Sequence, residues 1–427
     1  MSSNETLISR VLRYENLSSS AIAKVTKLSQ PTVSRALSKM LVLKLGGGRS
    51  TVFALLETQE CFPLFQVNEA GRITQLGHLY RLTENRTVLV QENGFQSYEG
   101  LPFYLYDALP AGFLGVLALK NIIKKDQALT SKSQDWSDSQ IMHYLIGYGE
   151  DIAGNLILSE PMAANVAQRQ YKVLNRNHYA HITSQINNFP EGLGSSIAGE
   201  QPKFTIFNGQ QHLIVKYSPL IKENNPVATR HRDLMVCEHL ALNTLSDHGV
   251  AASESELYIG DRFYLELKRF DRIGTHGRRG LASLKVIDAE YVGKNQDWTV
   301  IAKSLLSDQL ISQNDFMMVE ISYAFGSYIA NTDMHNGNCS FFMKGLVLDG
   351  ITPVYDMLPM AFMPVQGELG NPAIEMPRFI YVSDSANQKA LKMAIDYWGR
   401  VMDHEYISND FKLLAQKLLD ELNQIAV

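Results

Sequence analysis

The sequence predicts an α+β chain: a basic helical head, a small β-rich segment, and a body that passes from hairpins to helices. Three observations carry this expectation. Residues 1–55 hold three short helical patterns, then two strand-like runs around Gly46-Gly47-Gly48. Between 203 and 268, two strand–turn–strand runs flank a long helical stretch. Beyond 273 the apolar spacing is mostly helical, with long patterns near 387–403 and 409–425. The expected divisions are 1–55, 56–150, 151–272 and 273–427.

At 427 residues, with 45% hydrophobic and 19% charged side chains, the chain has the make-up of a multidomain globular protein. Its three cysteines, Cys61, Cys237 and Cys339, lie far apart without metal-ligand spacing. That fits a reducing compartment and gives neither a disulfide framework nor a zinc site. Residues 1–6 lack the basic-then-apolar pattern of a secretory leader. No apolar run reaches the length of a membrane span; the run over 112–119 ends at Lys120. A cytoplasmic location with no membrane partner is expected. The net charge of −5 is uneven: residues 1–55 carry eight Lys and Arg against Glu5 and Glu15, a surplus of six, which leaves −11 on the remainder. A basic head on an acidic body points to an anionic partner for the head alone.

In the head, residues 3–15 place Leu7, Ile8, Val11 and Leu12 on one helical face. Leu17-Ser18-Ser19-Ser20 breaks that helix and caps a second through Ala21, Ile22, Ala23 and Val25. Ser29 and Pro31 open a third, as an N-cap and an early helical proline should. Three helices and a β-ribbon make a winged helix-turn-helix. Its third helix would present Gln30, Thr32, Ser34 and Arg35 to a DNA major groove, with Arg49 on the wing near phosphate. The run S-Q-P-T-V-S-R resembles the opening of the recognition helix in bacterial transcription regulators. A protein-interaction module with a solvated basic face is the other reading, and the local charge favours DNA.

From 56 to 135 the pattern is strand-like, with Val88-Leu89-Val90, Phe103-Tyr104-Leu105-Tyr106 and several Gly and Pro breaks. A packing or docking subdomain without a catalytic constellation is expected there; 132–139 reads as loop and 141–158 as helix. The stretch from Glu191 to Lys203 holds three glycines and two serines ahead of a strand at 204–207, then a turn at Asn208-Gly209. On the return strand Leu213, Val215 and Tyr217 share one face, Ile214 and Lys216 the other. A glycine-rich loop followed by a strand lysine is a usual grip for a nucleotide, although Gly and Ser also make plain loops and a strand Lys can protect a sheet edge. In the helix from about 230 to 246, Glu238 borders the apolar stripe of Leu234, Cys237, Ala241 and Leu245. An acid there needs a partner: Lys216 is the candidate, with Asp233 as the alternative. A second hairpin, 257–259 and 263–268, exits through Arg269-Phe270-Asp271-Arg272. Hairpin, helix, hairpin, linker and helical remainder is the layout of a two-lobed protein-kinase-like fold.

Downstream, Ile321, Ala324, Phe325 and Tyr328 recur at helical spacing and lead into Asn331-Thr332-Asp333-Met334-His335-Asn336-Gly337-Asn338. Two short strands around Lys344-Gly345 return the chain to Asp356, so Asp333, Asn338 and Asp356 should meet at the mouth of one hairpin. Carboxylate and amide oxygens in such a trio suit a base plus two ligands for Mg²⁺. The spacing of Asp333 and Asn338 matches the D-x-x-x-x-N of a kinase catalytic loop. An isolated match also occurs in ordinary loops; the order along the chain is what gives it weight.

The ordered set Ser196-Ile-Ala-Gly-Glu-Gln-Pro-Lys203, Ile214-Val-Lys216, Lys268-Arg-Phe-Asp-Arg272, Asn331-Thr-Asp333-Met-His335-Asn-Gly-Asn338 and Thr352-Pro-Val-Tyr-Asp356 resembles the HipA family of serine/threonine kinases over residues 60–425. The fused head is similar to the YjjJ-type subgroup, toxins of toxin–antitoxin type. The resemblance implies a HipA-like fold with a small β-rich amino-terminal subdomain, ATP and Mg²⁺ as cofactors, and transfer of the γ-phosphoryl group to a protein Ser or Thr. It makes Asp333 the base and Asn338 and Asp356 the metal ligands. Lys216 then contacts the phosphates, and the stretch Lys268, Phe270 and Asp271 forms the adenine hinge. It also implies that Gly199, Lys203 and Glu238 serve the nucleotide, that His335 braces the loop, and that Ser196 is the serine phosphorylated by the enzyme itself. Two positions depart from the family pattern. Pro202 stands where a Glu often precedes the loop Lys, and Gly337 where a Lys often precedes the metal-binding Asn. The latter removes positive charge near the phosphates, and weaker activity or another target is the expectation.

The partners expected are DNA, a protein substrate for which the family offers a translation factor of the aminoacyl-tRNA-synthetase type, and a second copy of the chain, since helix-turn-helix proteins commonly dimerise. A rival reading is a DNA-binding regulator whose body senses nucleotide without catalysis. A third, a plain DNA-binding scaffold, leaves the metal trio unexplained. A positioned base at Asp333 favours the enzyme.

Overall fold

The computed structural model describes residues 2–187, 201–370, 372, 374, 375, 377, 379 and 381–426. Three helices open the chain: α1 (Ser3–Leu12), α2 (Ser19–Thr26) and α3 (Gln30–Leu37). Ser2, Ser18 and Ser29 cap them, each accepting a backbone N–H with its hydroxyl. Ile8, Leu12, Ile22, Val33, Ala36 and Leu37 close a small core among them. Strand β1 (Val42–Leu45) then pairs antiparallel with β2 (Val52–Val67), which continues through residues 55 and 56 into the next segment.

There β3 (Ile73–Leu82), β4 (Arg86–Gln91) and β5 (Gly94–Glu99) extend the sheet in the order β1-β2-β3-β4-β5. The head is tied to this sheet by more than the shared strand. Buried Arg86 donates to the carbonyls of Leu12 and Arg13 and to Oδ1 of Asn16, at 3.1–3.3 Å. Arg13 pairs in turn with Glu84. Helices α4 (Gly112–Ile123) and α5 (Asp138–Tyr148), strand β6 (Leu156–Ile157) and helix α6 (Glu160–Gln168) follow, with β6 pairing against β2.

Three expectations fail here, and the first is the strand-like reading of 56–135, which also covered the helix α4. Residues 103–106 lie in a 3-10 segment, Phe103–Ala108, not a strand. Three of the four side chains are fully buried, so no apolar alternation existed to separate the two states. The stretch 141–158 is not one helix either. It breaks at Gly149, turns at Gly154 with a left-handed φ of +79°, and ends in β6.

Helix α7 (Tyr179–Asn187) covers one face of a four-stranded sheet, β7 (Lys203–Phe207), β8 (His212–Tyr217), β9 (Ser255–Ile259) and β10 (Phe263–Lys268), in the order β7-β8-β10-β9. Helix α8 (Pro226–Asp247) packs on the other face. Leu213, Val215 and Tyr217 meet α7 and Ile214 packs on the α8 side, as the alternation requires. After the short pair β11 (Arg272–Ile273) and β12 (Gly277–Arg278), strand β13 (Gly280–Ser283) leads into α9 (Leu284–Tyr291), α10 (Trp298–Ser307) and α11 (Gln313–Tyr328). Strands β14 (Ser340–Lys344) and β15 (Val347–Ile351) join β13 in a three-stranded sheet. Helices α12 (Asp384–Asp403) and α13 (Asn409–Ile425) close the chain. The largest core joins α8 and β10 to α11, α12 and α13 through Leu265, Phe325, Tyr397, Trp398 and Phe411. The loops that carry Asp333 and Asp356 follow α11 and β15 respectively.

Candidate active site

Lys216 leaves β8 on the α8 side and is 4% exposed, while Glu238 on α8 is fully buried. The Lys216 Nζ donates to both oxygens of Glu238, at 2.6 and 2.8 Å, and to Oδ1 of Asp356 at 2.5 Å. Asp233, the alternative partner, instead accepts from the backbone N–H and hydroxyl of Ser408. Burial alone would lower the Lys216 pKa, but the two carboxylates outweigh it and raise it above the ordinary lysine value. Burial likewise works against ionised Asp356, yet Lys216 and then Lys203 hold its pKa at about 2. Glu238 moves the other way, upward: its complete burial and the neighbouring Asp356 charge outweigh its share of the same ammonium.

The loop after α11 is held by short-range bonds. Asp333 N–H donates to Asn331 Oδ1 at 3.1 Å, and Asn338 Nδ2 donates to the Asp333 carbonyl at 2.9 Å. Asn338 thereby spends its amide nitrogen on the loop and keeps its carbonyl oxygen as an acceptor. His335 Nδ1 accepts the Gly337 N–H at 3.0 Å, and Trp298 Nε1 donates to the His335 carbonyl. The Tyr355 hydroxyl lies 2.8 Å from the Gly337 carbonyl and 2.7 Å from Ser340 Oγ, tying the Asp356 segment to the Asn338 segment. Asp356 itself adopts a left-handed φ of +52°. Asp333 is exposed.

Other expected site residues take varied places. Lys203 lies opposite Lys216 across β7 and β8, and its charge reaches Asp356. Lys268 pairs with exposed Glu254 at 2.6 Å, and the Phe270 ring packs on Tyr355 and Phe342 with centroids 5.6 and 6.0 Å apart. Asp271 is buried between Arg269 and Arg272 and also accepts the Gly154 N–H, an ion cluster reaching back to Asp151. Ser196 and Gly199 lie outside the described residues. On the head, Gln30, Ser34, Arg35 and Arg49 are exposed and Thr32 is half-buried against its Ser29 cap. Asn331, Tyr355 and Trp298 were not anticipated as site residues. The first two sit inside the quoted motifs, but their spacing carries no chemical signature of its own.

A carboxylate and an amide oxygen suit a hard cation that keeps water and phosphate as its other ligands, while the buried Lys216 ammonium, whose three donors here meet Glu238 and Asp356, would reach phosphate by giving up one of them.

Residues 58–167 match the family described as YjjJ-like toxin, middle domain, and residues 195–417 match HipA-like C-terminal domain. The chain is 30% identical over 416 residues to Toxin YjjJ of Escherichia coli (strain K12), an alignment spanning 93% of each chain. Among solved structures it is similar to a Shewanella oneidensis MR-1 HipA, solved with HipB and operator DNA, at 14% identity, 75% and 84% coverage and a TM-score of 0.49. It is also similar to the Helicobacter pylori proinflammatory kinase CtkA, at 15% identity, 56% and 91% coverage and a TM-score of 0.37. With more than half its length in the HipA-like C-terminal domain and 93% of it aligned to a YjjJ toxin, the chain belongs to the YjjJ-like toxins of the HipA-like family.

Proposed function

We propose that this protein is an ATP- and Mg²⁺-dependent serine/threonine protein kinase with a built-in DNA-binding head, acting as a toxin-type regulator in the cytoplasm. The observation that carries the reading is Lys216, whose ammonium joins Glu238 on α8 to Asp356 beside the Asp333–Asn338 loop. Lys216 and Lys203 hold the ATP phosphates, and the 268–271 stretch borders the adenine. Asn338 and Asp356 hold the metal, which when bound offsets charge on the transferring phosphoryl group. Asp333 takes the proton of the substrate hydroxyl and His335 braces its loop. Ser196 is the proposed self-phosphorylation site, and a translation factor is the proposed class of outside target. The head's surplus of six positive charges and its exposed Gln30, Ser34, Arg35 and Arg49 support DNA binding, with a dimer reading two half-sites.

The test is phosphate transfer from labelled ATP with Mg²⁺ to wild type, Asp333→Asn and Ser196→Ala. Label on wild type that is absent from Asp333→Asn supports the kinase; its loss in Ser196→Ala assigns the modified serine. No label on any form, with ATP still bound by calorimetry, overturns catalysis in favour of nucleotide sensing.

A further inference from the structure

Asp333 and Asp356 stand on separate loops, and one buried side chain bridges them. Asn331 is 5% exposed. Its Oδ1 accepts the Asp333 N–H at 3.1 Å, while its Nδ2 donates to the Asp356 carbonyl at 3.4 Å and to Met357 Sδ at 3.6 Å. Its own N–H donates to the Gly326 carbonyl at 2.8 Å, and the preceding Ala330 takes a left-handed φ of +60° that turns the chain off α11. The same glycine seats both loops a second time. A Cβ on Gly326 would collide with Met334 Sδ and lie 3.0 Å from Met357 Sδ. Met334 follows Asp333 and Met357 follows Asp356 in the chain. Both acids are thus referenced to one turn of α11, by hydrogen bonds through Asn331 and by packing through Gly326.

We infer that Asn331, seated on Gly326, is a positioning residue that sets the spacing of the proposed base against the proposed metal ligands. Its buried side chain acts through the Asp333 and Asp356 backbone and Met357 Sδ. The inference rests on the proposed nucleotide and metal site, and it concerns the part of nucleotide affinity that depends on metal. Lys216 bonds Asp356 once but Glu238 twice, so its seat on α8 survives a shift of Asp356, and metal-free nucleotide binding should depend on Asn331 far less than the metal-dependent part.

The experiment is calorimetric binding of a non-hydrolysable ATP analogue to the full chain, with and without Mg²⁺, for wild type, Asn331→Ala, Asn331→Asp and Gly326→Ala, with thermal melts of each. Outer ligand supports commonly carry about 10- to 100-fold in metal affinity, so Asn331→Ala should lose that much of the Mg²⁺-dependent gain and keep its metal-free affinity within about twofold. Asn331→Asp, which keeps the acceptor for Asp333 but not the donor to Asp356, should lose the gain as well. Gly326→Ala should reproduce it without touching a polar group. Should Asn331→Ala fail to fold, the other two variants decide. An unchanged Mg²⁺ gain in the folded variants overturns the inference, as does an equal loss with and without metal, or a wild type with no gain. A wild type that shows the gain but transfers no phosphate overturns the kinase reading and leaves the Asn331 result standing.

Discussion

The ammonium of Lys216 lies 2.5 Å from Asp356 Oδ1, although 140 residues separate the two in the chain. The same nitrogen answers both oxygens of Glu238, so one cation holds together the sheet, the helix behind it and the second acidic loop. Asp356 is about one-third exposed and can be rescued by water, with 35% of its side chain accessible. Glu238 has no such recourse, with none of its side chain accessible.

Lys216→Met should therefore destabilise the fold by about 3–5 kcal/mol, chiefly by leaving Glu238 in the core without its cation, where it must stay charged and unpaired or take up a proton. Lys216→Met with Glu238→Leu should recover much of that loss, because the stranded charge is gone. Urea denaturation of the two single variants and the double variant measures the coupling, expected to exceed about 1 kcal/mol. Independent, additive effects would mean that the pair is not held as the contact distances indicate.

Acid should loosen the same region. Asp356 and Asp151 each titrate at about 2 when folded, below the ordinary carboxylate value, because Lys216 and Lys203 hold the first and Arg269 and Arg272 the second against the cost of burial. A depressed folded pKa contributes stability that is present above the unfolded pKa and is lost as pH falls through the folded one. Melting temperature should thus drop as pH falls from about 4 to about 2, and more shallowly in Asp356→Asn, whose neutral side chain has no such proton to take up. Equal slopes in the two proteins would remove Asp356 from the account.

Much of this was legible in the sequence where chemistry and spacing coincide. Lys216 was assignable to one strand face by alternation, and Glu238 to the edge of a helical stripe, which made Lys216 the candidate partner with Asp233 as the alternative; the structure pairs Glu238 with Lys216. The hairpin returning Asp356 toward Asp333 was visible in the turn at Lys344-Gly345. What stayed hidden had no local signature. Phe103, Tyr104 and Leu105 are consecutive and all buried, and periodicity cannot tell a buried strand from a buried 3-10 segment. Asn331 acts through two distant backbone groups, and nothing in its neighbours announces that. Arg86 opens β4 and also clamps the head, through the carbonyls of Leu12 and Arg13, which no local pattern connects to it.

That clamp gives a third expectation. Arg86 is 5% exposed and caps the carbonyl end of α1, where unsatisfied C=O groups favour a cation. Arg86→Ala removes three hydrogen bonds, at about 1 kcal/mol each, and should free the head locally without unfolding the body. Limited proteolysis should then cut near residues 13–17, while the global melt shifts little. A cleavage pattern identical to wild type would show that the remaining ties, the shared strand β2 and the Arg13–Glu84 pair among them, suffice to hold the head.

Gly337 raises the last expectation, since family members often carry a lysine there. A Cβ at this position would lie 2.9 Å from Cε1 and 3.0 Å from Nδ1 of His335, the ring that accepts the Gly337 N–H. The imidazole fills the space a side chain would need, so Gly337→Lys should not act as a gain of charge. It should push the ring away, loosen the Asn336–Asn338 turn and lower phosphate transfer by about tenfold, in the range seen when an outer support of a metal ligand is lost. His335→Ala combined with Gly337→Lys separates the two effects, because the clash is gone and the ammonium remains. Transfer by the double variant above that of Gly337→Lys alone would assign the loss to sterics. Gly337→Lys at or above wild-type rate would instead mean that the ring yields freely, and that His335 does not brace the loop.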